Sequence, residues 1–169
     1  MTQAMNDREI RVDRMRYIKN TTSSRLCYLA ILLNVLYFVS IYKSDVGSWY
    51  YQVLVGGSIV YNLLFMLMTF LASEGVKNYQ KNYSWLLYAL GILQGVRIFI
   101  LPMQAHSAMI KLGSVETAVM ETPQFIRCII YLAGSAACLI AAALINQRKA
   151  AALERHIGMI GKEAASWQN

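Results

Sequence analysis

The chain has 169 residues, of which 57% are hydrophobic and only 15% are charged. Soluble domains carry roughly 25% charged residues, so this composition favours a membrane protein and argues against a soluble globular domain. The formal net charge of +7 raises the question of nucleic-acid binding. However, no basic and aromatic pattern matches a module that reads nucleic acid, so we expect no nucleic-acid partner.

The N-terminal segment, residues 1–24, is polar and charged and precedes the first apolar run. That run is long and lacks a clear small-residue cleavage site, so we do not expect a removable signal peptide. We predict a short N-terminal interfacial helix on the cytoplasmic surface, with its basic residues near anionic head groups.

Four apolar runs follow, each within the range of roughly 17–25 residues that transmembrane helices have. They cover about residues 26–42, 49–72, 83–103 and 125–146. The sequence therefore predicts an all-α membrane protein, a four-transmembrane-helix bundle over residues 25–147. Residues 148–169 are rich in helix formers and predict a cytoplasmic helical extension of the last span.

The distribution of Lys and Arg predicts the orientation of the bundle. The segment through Arg25 holds six of these residues, the central loop two and the tail four, whereas the other two loops hold one each. Cytoplasmic loops carry the excess of Lys and Arg, so both termini are expected in the cytoplasm. We expect an integral protein of the bacterial cytoplasmic (inner) membrane.

A polar side chain lies near the midpoint of each predicted span. These four residues are Asn34, Asn62, Gln94 and Ser135. An unpaired amide in hydrocarbon costs several kcal/mol, so we expect a mid-membrane polar layer that faces inward and exchanges hydrogen bonds. The layer is either structural or part of a permeation path. Proton and cation paths use membrane carboxylates, and none of the acidic residues lies within a span, which argues against a proton-coupled multidrug exporter.

Helical spacing assigns inward faces to the first two spans. On the first span, Cys27, Ala30, Asn34, Tyr37 and Ile41 form one stripe. On the second span, Tyr51, Val55, Ser58, Asn62, Thr69 and Ser73 form another. Residues three and four apart share a helix face, so these stripes are expected to contact the rest of the bundle.

Two arginines lie in the outer halves of the third and fourth spans. We predict that Arg97 and Arg127 contact a partner protein or an anionic group, because the guanidinium fork matches carboxylate and phosphate geometry. Arg127 is expected to point into a helix interface. In the structural alternative, Arg127 extends to the head groups and Arg97 pairs with Glu116 or Glu121.

Small residues mark two predicted packing surfaces. Gly91 and Gly95 are spaced four apart on the third span and allow another helix backbone to approach closely. On the fourth span the corresponding ridge consists of Gly134, Cys138 and Ala142. Together they offer more packing surface than a single small bundle needs.

No motif for catalysis, cofactor binding or metal binding is present. The three cysteines include no C-x-x-C pair, which argues against thiol–disulfide chemistry. His106 and His156 are expected on opposite sides of the membrane, so they cannot share a metal. We therefore expect no enzyme activity, no cofactor and no metal.

These features favour a non-catalytic accessory or structural subunit of a larger membrane complex, most readily a transport complex. The expected partners are the lipid bilayer, a larger integral-membrane subunit, and a cytoplasmic subunit at the basic tail, where Leu153, Ile157 and Ile160 share one side. The alternative is a self-contained homo-oligomeric transporter or channel with an outer anion site at Arg97 and Arg127. A membrane enzyme acting on lipids is supported by nothing beyond these arginines.

Overall fold

The computed structural model describes residues 19–41, 49–107, 109–112, 115–118 and 120–166. Four helices within these residues are long and apolar enough to cross a membrane, which confirms the predicted multi-pass helical protein. They are α1 (Thr21–Ile41), α2 (Trp49–Lys77), α3 (Asn82–Ile100) and α5 (Thr122–Ser166). Most of the predicted interfacial helix lies outside the described residues, and positions 21–24 belong to α1.

The connection between α3 and α5 has its own secondary structure. Pro102 begins the short helix α4 (Pro102–Ser107), and proline suits a first helical position because it lacks the N–H that would be unpaired there. An antiparallel hairpin follows, formed by β1 (Met109–Leu112) and β2 (Val115–Ala118). Its register pairs Met109 with Ala118 and Leu112 with Val115.

Helix α1 packs against α5 and α2, and α3 packs against the other side of α5. The inward stripe predicted for α1 agrees with the structure, since its buried residues recur every three or four positions. On α2, the described members of the predicted stripe, Ser58, Asn62, Thr69 and Ser73, are also buried. Large apolar side chains such as Leu63, Ile92 and Ile130 are exposed, as expected of surfaces that face lipid.

A polar network joins three parts of the chain at one end of the bundle. Asn146 of α5 donates to the carbonyl of Gln80 at 3.1 Å and to the Ser84 hydroxyl at 2.8 Å. Its side-chain oxygen accepts from Asn20 Nδ2 at 3.1 Å, and the Asn20 backbone N–H donates to the carbonyl of Lys77 at 3.0 Å. The start of α1, the α2–α3 turn and the middle of α5 therefore meet at this end.

Helices α2 and α3 are close at their turn. A Cβ atom at Gly75 would overlap the ring of Tyr83, so glycine is what permits this approach. The turn itself contains Tyr79 at φ 60°, a left-handed conformation that reverses the chain over few residues.

Helix α5 is much longer than a membrane crossing. Its 45 residues span ~68 Å at about 1.5 Å per residue, more than twice the hydrocarbon thickness. Ala150 is buried, and Glu154 forms an ion pair with Lys81 of the α2–α3 turn. The helical extension predicted for the tail is therefore continuous with the last span.

Candidate functional site

Arg97 is the charged residue at the centre of the candidate site. It lies near the C-terminal end of α3, but only 6% of its surface is exposed. Helical side chains tilt toward the N-terminus of their own helix, so the guanidinium lies deeper in the bundle than its Cα position. The residues it contacts show how deep it reaches.

The guanidinium donates hydrogen bonds to two other helices. Nη1 donates to Asn62 Oδ1 at 2.7 Å and to Asn34 Oδ1 at 3.3 Å, and Nη2 donates to the Ser58 hydroxyl. Asn62 lies ~20 Å along α2 from Trp49 and ~18 Å from Glu74 at about 1.5 Å per residue. The positive charge is therefore held near the middle of the membrane-spanning region.

Two tyrosine rings enclose the same guanidinium. The Arg97 Cζ atom lies 4.5 Å from the ring centroid of Tyr37 and 4.6 Å from that of Tyr61. Each cation–π contact contributes roughly 0.5–2 kcal/mol, with the larger values at desolvated sites. The two rings and three oxygen acceptors stabilise the charge through dipoles and quadrupoles.

No carboxylate neutralises Arg97 among the described residues. The described ion pairs are Lys77 with Glu74 and Lys81 with Glu154. The expected pairing of Arg97 with Glu121 is wrong, because Glu121 is exposed just before α5 whereas Arg97 is bound to side chains at mid-depth. The side chain of Glu116 lies outside the described residues.

The predicted polar layer is brought together in the interior. Gln94 Nε2 donates to Asn34 Oδ1 at 2.9 Å and to the Ser135 hydroxyl at 3.4 Å. The Ser135 hydroxyl donates to the carbonyl of Ala30 at 3.1 Å. All four predicted residues are buried, and they are linked through Asn34 and Asn62 to Arg97. The layer thus connects all four long helices.

Arg127 lies apart from this network. It is exposed on α5, so the expectation that it points into a helix interface is wrong. The next residue, Cys128, has its sulfur 3.7 Å from the Ser40 hydroxyl, and Ser40 is ~9 Å along α1 from Asn34 at about 1.5 Å per residue. Arg127 therefore lies nearer the end of the bundle than the Arg97 guanidinium, and the two arginines form no common site.

The predicted small-residue surfaces differ in how they are used. A Cβ atom at Gly91 would lie 3.0 Å from Ile140 Cγ1 and 3.4 Å from the carbonyl oxygen of Ala136. Gly91 therefore serves the internal contact between α3 and α5. A Cβ atom at Gly95 would have no described neighbour within 4 Å.

The predicted ridge on α5 is also internal for much of its length. A Cβ atom at Gly134 would lie 3.2 Å from Leu33 of α1. Cys138 is half-buried and Ala142 is fully buried. Because these residues contact or face the bundle interior, they leave little surface for an outside helix.

A lipid-facing groove lies between the halves of α2 and α3 that are distant from their turn. It has a volume of about 410 Å³ and is lined by Val53, Gly57, Ser58 and Tyr61 of α2, by Leu93, Val96, Arg97 and Ile100 of α3, and by Leu101 just after α3. Its walls are mostly apolar, with Arg97 as its one charged lining residue. The buried charge therefore borders a groove at the surface of the bundle.

Gly57 and Tyr61 were missed by sequence reasoning. Gly56 and Gly57 are exposed, and a Cβ atom at either position would have no described neighbour within 4 Å. The adjacent glycines in a predicted span were the available signal, but they lack the four-residue spacing of Gly91 and Gly95. Tyr61 lies next to Asn62 in sequence, off the polar stripe, so nothing associated its ring with an arginine on another helix.

No protein-family model, no curated protein and no solved structure matches this chain. The geometry of the groove and of Arg97 is therefore the basis for a functional proposal.

Proposed function

We propose that this chain is a non-catalytic integral-membrane accessory subunit that packs beside a larger membrane protein in a transport complex. The observation that carries this proposal is the groove between α2 and α3, which leaves a buried guanidinium beside an open, glycine-containing helix face. Small residues such as Gly57 and Ser58 in its lining are typical of helix faces against which another membrane helix packs.

The polar layer supports a structural role over a permeation path. Gln94 donates hydrogen bonds to Asn34 and Ser135 on two other helices, which is how amide and hydroxyl groups stabilise membrane bundles. The groove opens sideways toward lipid between two helices, as a packing surface would.

The orientation and the tail suggest a second contact in the cytoplasm. We propose that both termini lie in the cytoplasm of a bacterial inner membrane, because Lys and Arg concentrate in the two terminal segments and the central loop. Helix α5 then extends well beyond the bilayer with Arg148, Lys149 and Arg155 near the membrane surface. We propose that this basic extension contacts a cytoplasmic subunit.

The alternative is a self-contained homo-oligomeric transporter or channel with an outer anion site at Arg97 and Arg127. That site required the two arginines to act together, and Arg127 is exposed nearer the end of the bundle. The remaining support for this alternative is Arg97 alone.

The test is purification of the tagged chain from its native membrane in mild detergent, followed by native mass spectrometry. We expect a stoichiometric complex with a larger integral protein, and we expect Gly57→Leu to remove that protein. The matched control is Gly56→Leu, which adds the same side chain one position away, outside the groove lining, and should retain the complex. A pure homo-oligomer that is unaffected by either substitution would overturn the proposal and favour the transporter.

A further inference from the structure

We propose that the groove between α2 and α3 binds a transmembrane helix that carries an aspartate or glutamate at mid-depth, and that Arg97 is the counter-charge for this carboxylate. This inference rests on the proposed function and specifies the chemistry of the partner.

The positive charge of Arg97 has no negative charge beside it among the described residues. Arg97 is buried and has only neutral hydrogen-bond partners among the described residues, namely Asn34, Asn62 and Ser58. Charged groups inside the membrane pair with one another or with backbone carbonyls in most cases, because desolvating an unpaired ion is costly. A guanidinium also has five N–H donors, and the described acceptors take three of them. A carboxylate supplies the missing charge and acceptors for the remaining donors.

Several buried polar atoms around the guanidinium have no hydrogen-bond partner within the part of the chain that the structure describes. They are the donors Asn34 Nδ2 and Asn62 Nδ2, the Tyr37 and Tyr61 hydroxyls, which can donate or accept, and one acceptor, Gln94 Oε1. Asn34 and Asn62 are almost completely buried. Most of these atoms can donate and none carries a negative charge, so a carboxylate supplies the opposite charge together with further acceptors.

The depth of the Arg97 guanidinium in the bundle limits which partner can reach it. The Asn62 side chain that holds the guanidinium lies ~20 Å from Trp49 along α2, at about 1.5 Å per residue. Head-group phosphates lie at the edge of a hydrocarbon core of ~30 Å, so a lipid phosphate would have to descend ~15 Å to reach this depth. A side chain on a spanning helix reaches mid-depth at no such cost. Depth thus favours a partner helix over a lipid head group.

The size and lining of the groove indicate what can pack in it. The groove volume of about 410 Å³ accommodates several side chains, and the wall at Gly57 has no Cβ to hold a partner backbone away. Val53, Val96 and Ile100 supply apolar walls that pack against the aliphatic residues of a helix. The groove therefore fits a helix whose one polar residue faces Arg97.

The experiment uses the full chain, labelled at its C-terminus, in phosphatidylcholine vesicles at pH 8. The probes are labelled transmembrane peptides of leucine and alanine that carry a single Glu, Gln or Leu at the centre, and association is measured by resonance energy transfer. We expect the Glu peptide to associate about tenfold more tightly than the Leu peptide, as interhelical polar contacts in membranes allow. The Gln peptide should fall between them.

Two variants test the assignment independently. Arg97→Gln should bring the Glu and Leu peptides to within about twofold of each other, which removes the charge preference. Gly57→Leu keeps the Arg97 hydrogen bonds but fills the groove, and it should weaken association of all three peptides. Gly56→Leu is the matched control and should behave as the unmodified chain.

Several results would overturn the inference. They are equal association of the three peptides, an unchanged Glu preference in Arg97→Gln, and unchanged association in Gly57→Leu. Loss of Glu-peptide association when phosphatidylglycerol replaces part of the phosphatidylcholine would assign the groove to an anionic lipid instead. The proposed function fails separately, when peptides associate as expected but no larger protein accompanies the chain from its native membrane.

Discussion

Helix α3 has two differently used sides. On one side, Gly91 allows α5 to approach until a single added carbon would lie 3.0 Å from Ile140. On the other side, Arg97 borders a groove of about 410 Å³, and Gly57 across it has no described neighbour within 4 Å of an added carbon. A glycine in a membrane helix therefore permits a second helix to pack closely, but the positions of the neighbouring helices determine whether one does.

The polar groups show the same contrast. At the α2–α3 turn, the Asn146 side chain uses both donor and acceptor atoms in contacts with Asn20, Ser84 and the carbonyl of Gln80. At mid-depth beside the groove, Arg97 has no acidic partner among the described residues, and Asn62 Nδ2 has no acceptor. The Asn146 side chain is therefore fully hydrogen-bonded at the turn, whereas the groove side leaves several buried polar atoms without a partner among the described residues.

The largest effect on stability is expected from Asn146→Leu, in the polar network at the α2–α3 turn. The change removes three side-chain hydrogen bonds, two of them buried and one partly buried, each of about 1 kcal/mol, so the free energy of unfolding should fall by ~3 kcal/mol. SDS titration in mixed micelles measures this quantity. A loss below ~0.5 kcal/mol would mean that the turn end does not hold the bundle together, which would contradict the comparison.

A glycine pair tests the comparison directly. Gly91→Leu forces a bulky side chain against Ile140 and should lower the free energy of unfolding by ~2 kcal/mol, the usual cost of overpacking. Gly57→Leu enters open space and should change it by less than ~0.5 kcal/mol. The reactivity of the buried thiols Cys27 and Cys128 toward a fluorescent maleimide on heating gives a second measurement. Equal losses in the two variants would refute the proposed difference between the two sides.

Ser135→Ala should have a moderate effect on the polar layer. The hydroxyl donates to the carbonyl of Ala30 and accepts from Gln94, so its loss leaves one buried donor with a single partner and costs ~1 kcal/mol. The same SDS titration measures it. Ala137→Ser, on the exposed face of α5, is a control for placing a hydroxyl in this helix and should leave the midpoint near that of the unmodified chain.

The smallest effect is expected from Lys81→Ala. Lys81 pairs with Glu154, but both side chains are about half exposed, and exposed ion pairs contribute ~0–1 kcal/mol. The free energy of unfolding should fall by less than ~0.5 kcal/mol and depend little on salt. A loss above ~1 kcal/mol would show that the tail stabilises the bundle more than its exposure indicates.

Much of the fold could be predicted because each signal is local. Hydropathy and length predict four spans, and three-and-four spacing predicts the buried face of α1. The polar layer was also accessible, because amides in a span must face protein. The helix ends were harder to predict. Helix α2 continues to Lys77 and α1 begins at Thr21, because polar residues at membrane edges are as helical as apolar ones.

The site required the tertiary structure. Arg127 was predicted to face an interface from its small-residue ridge, yet it is exposed, since the position of a side chain near a helix end depends on how far neighbouring helices extend. The pairing of Arg97 with Glu121 is wrong because the long arginine side chain turns back to mid-depth, where Asn34 and Asn62 offer oxygen acceptors.

The sequence by itself determined that this protein spans a membrane with four helices and buries its few polar side chains, because hydrocarbon penalises every unpaired polar group wherever it lies in a span. Only the tertiary structure decided which polar groups form hydrogen bonds, which glycine a neighbouring helix packs against, and where a groove remains. The groove and the contacts around it depend on the tilt and separation of α2 and α3. The sequence of a helix specifies which residues share a face, but it does not specify the distance to a neighbouring helix.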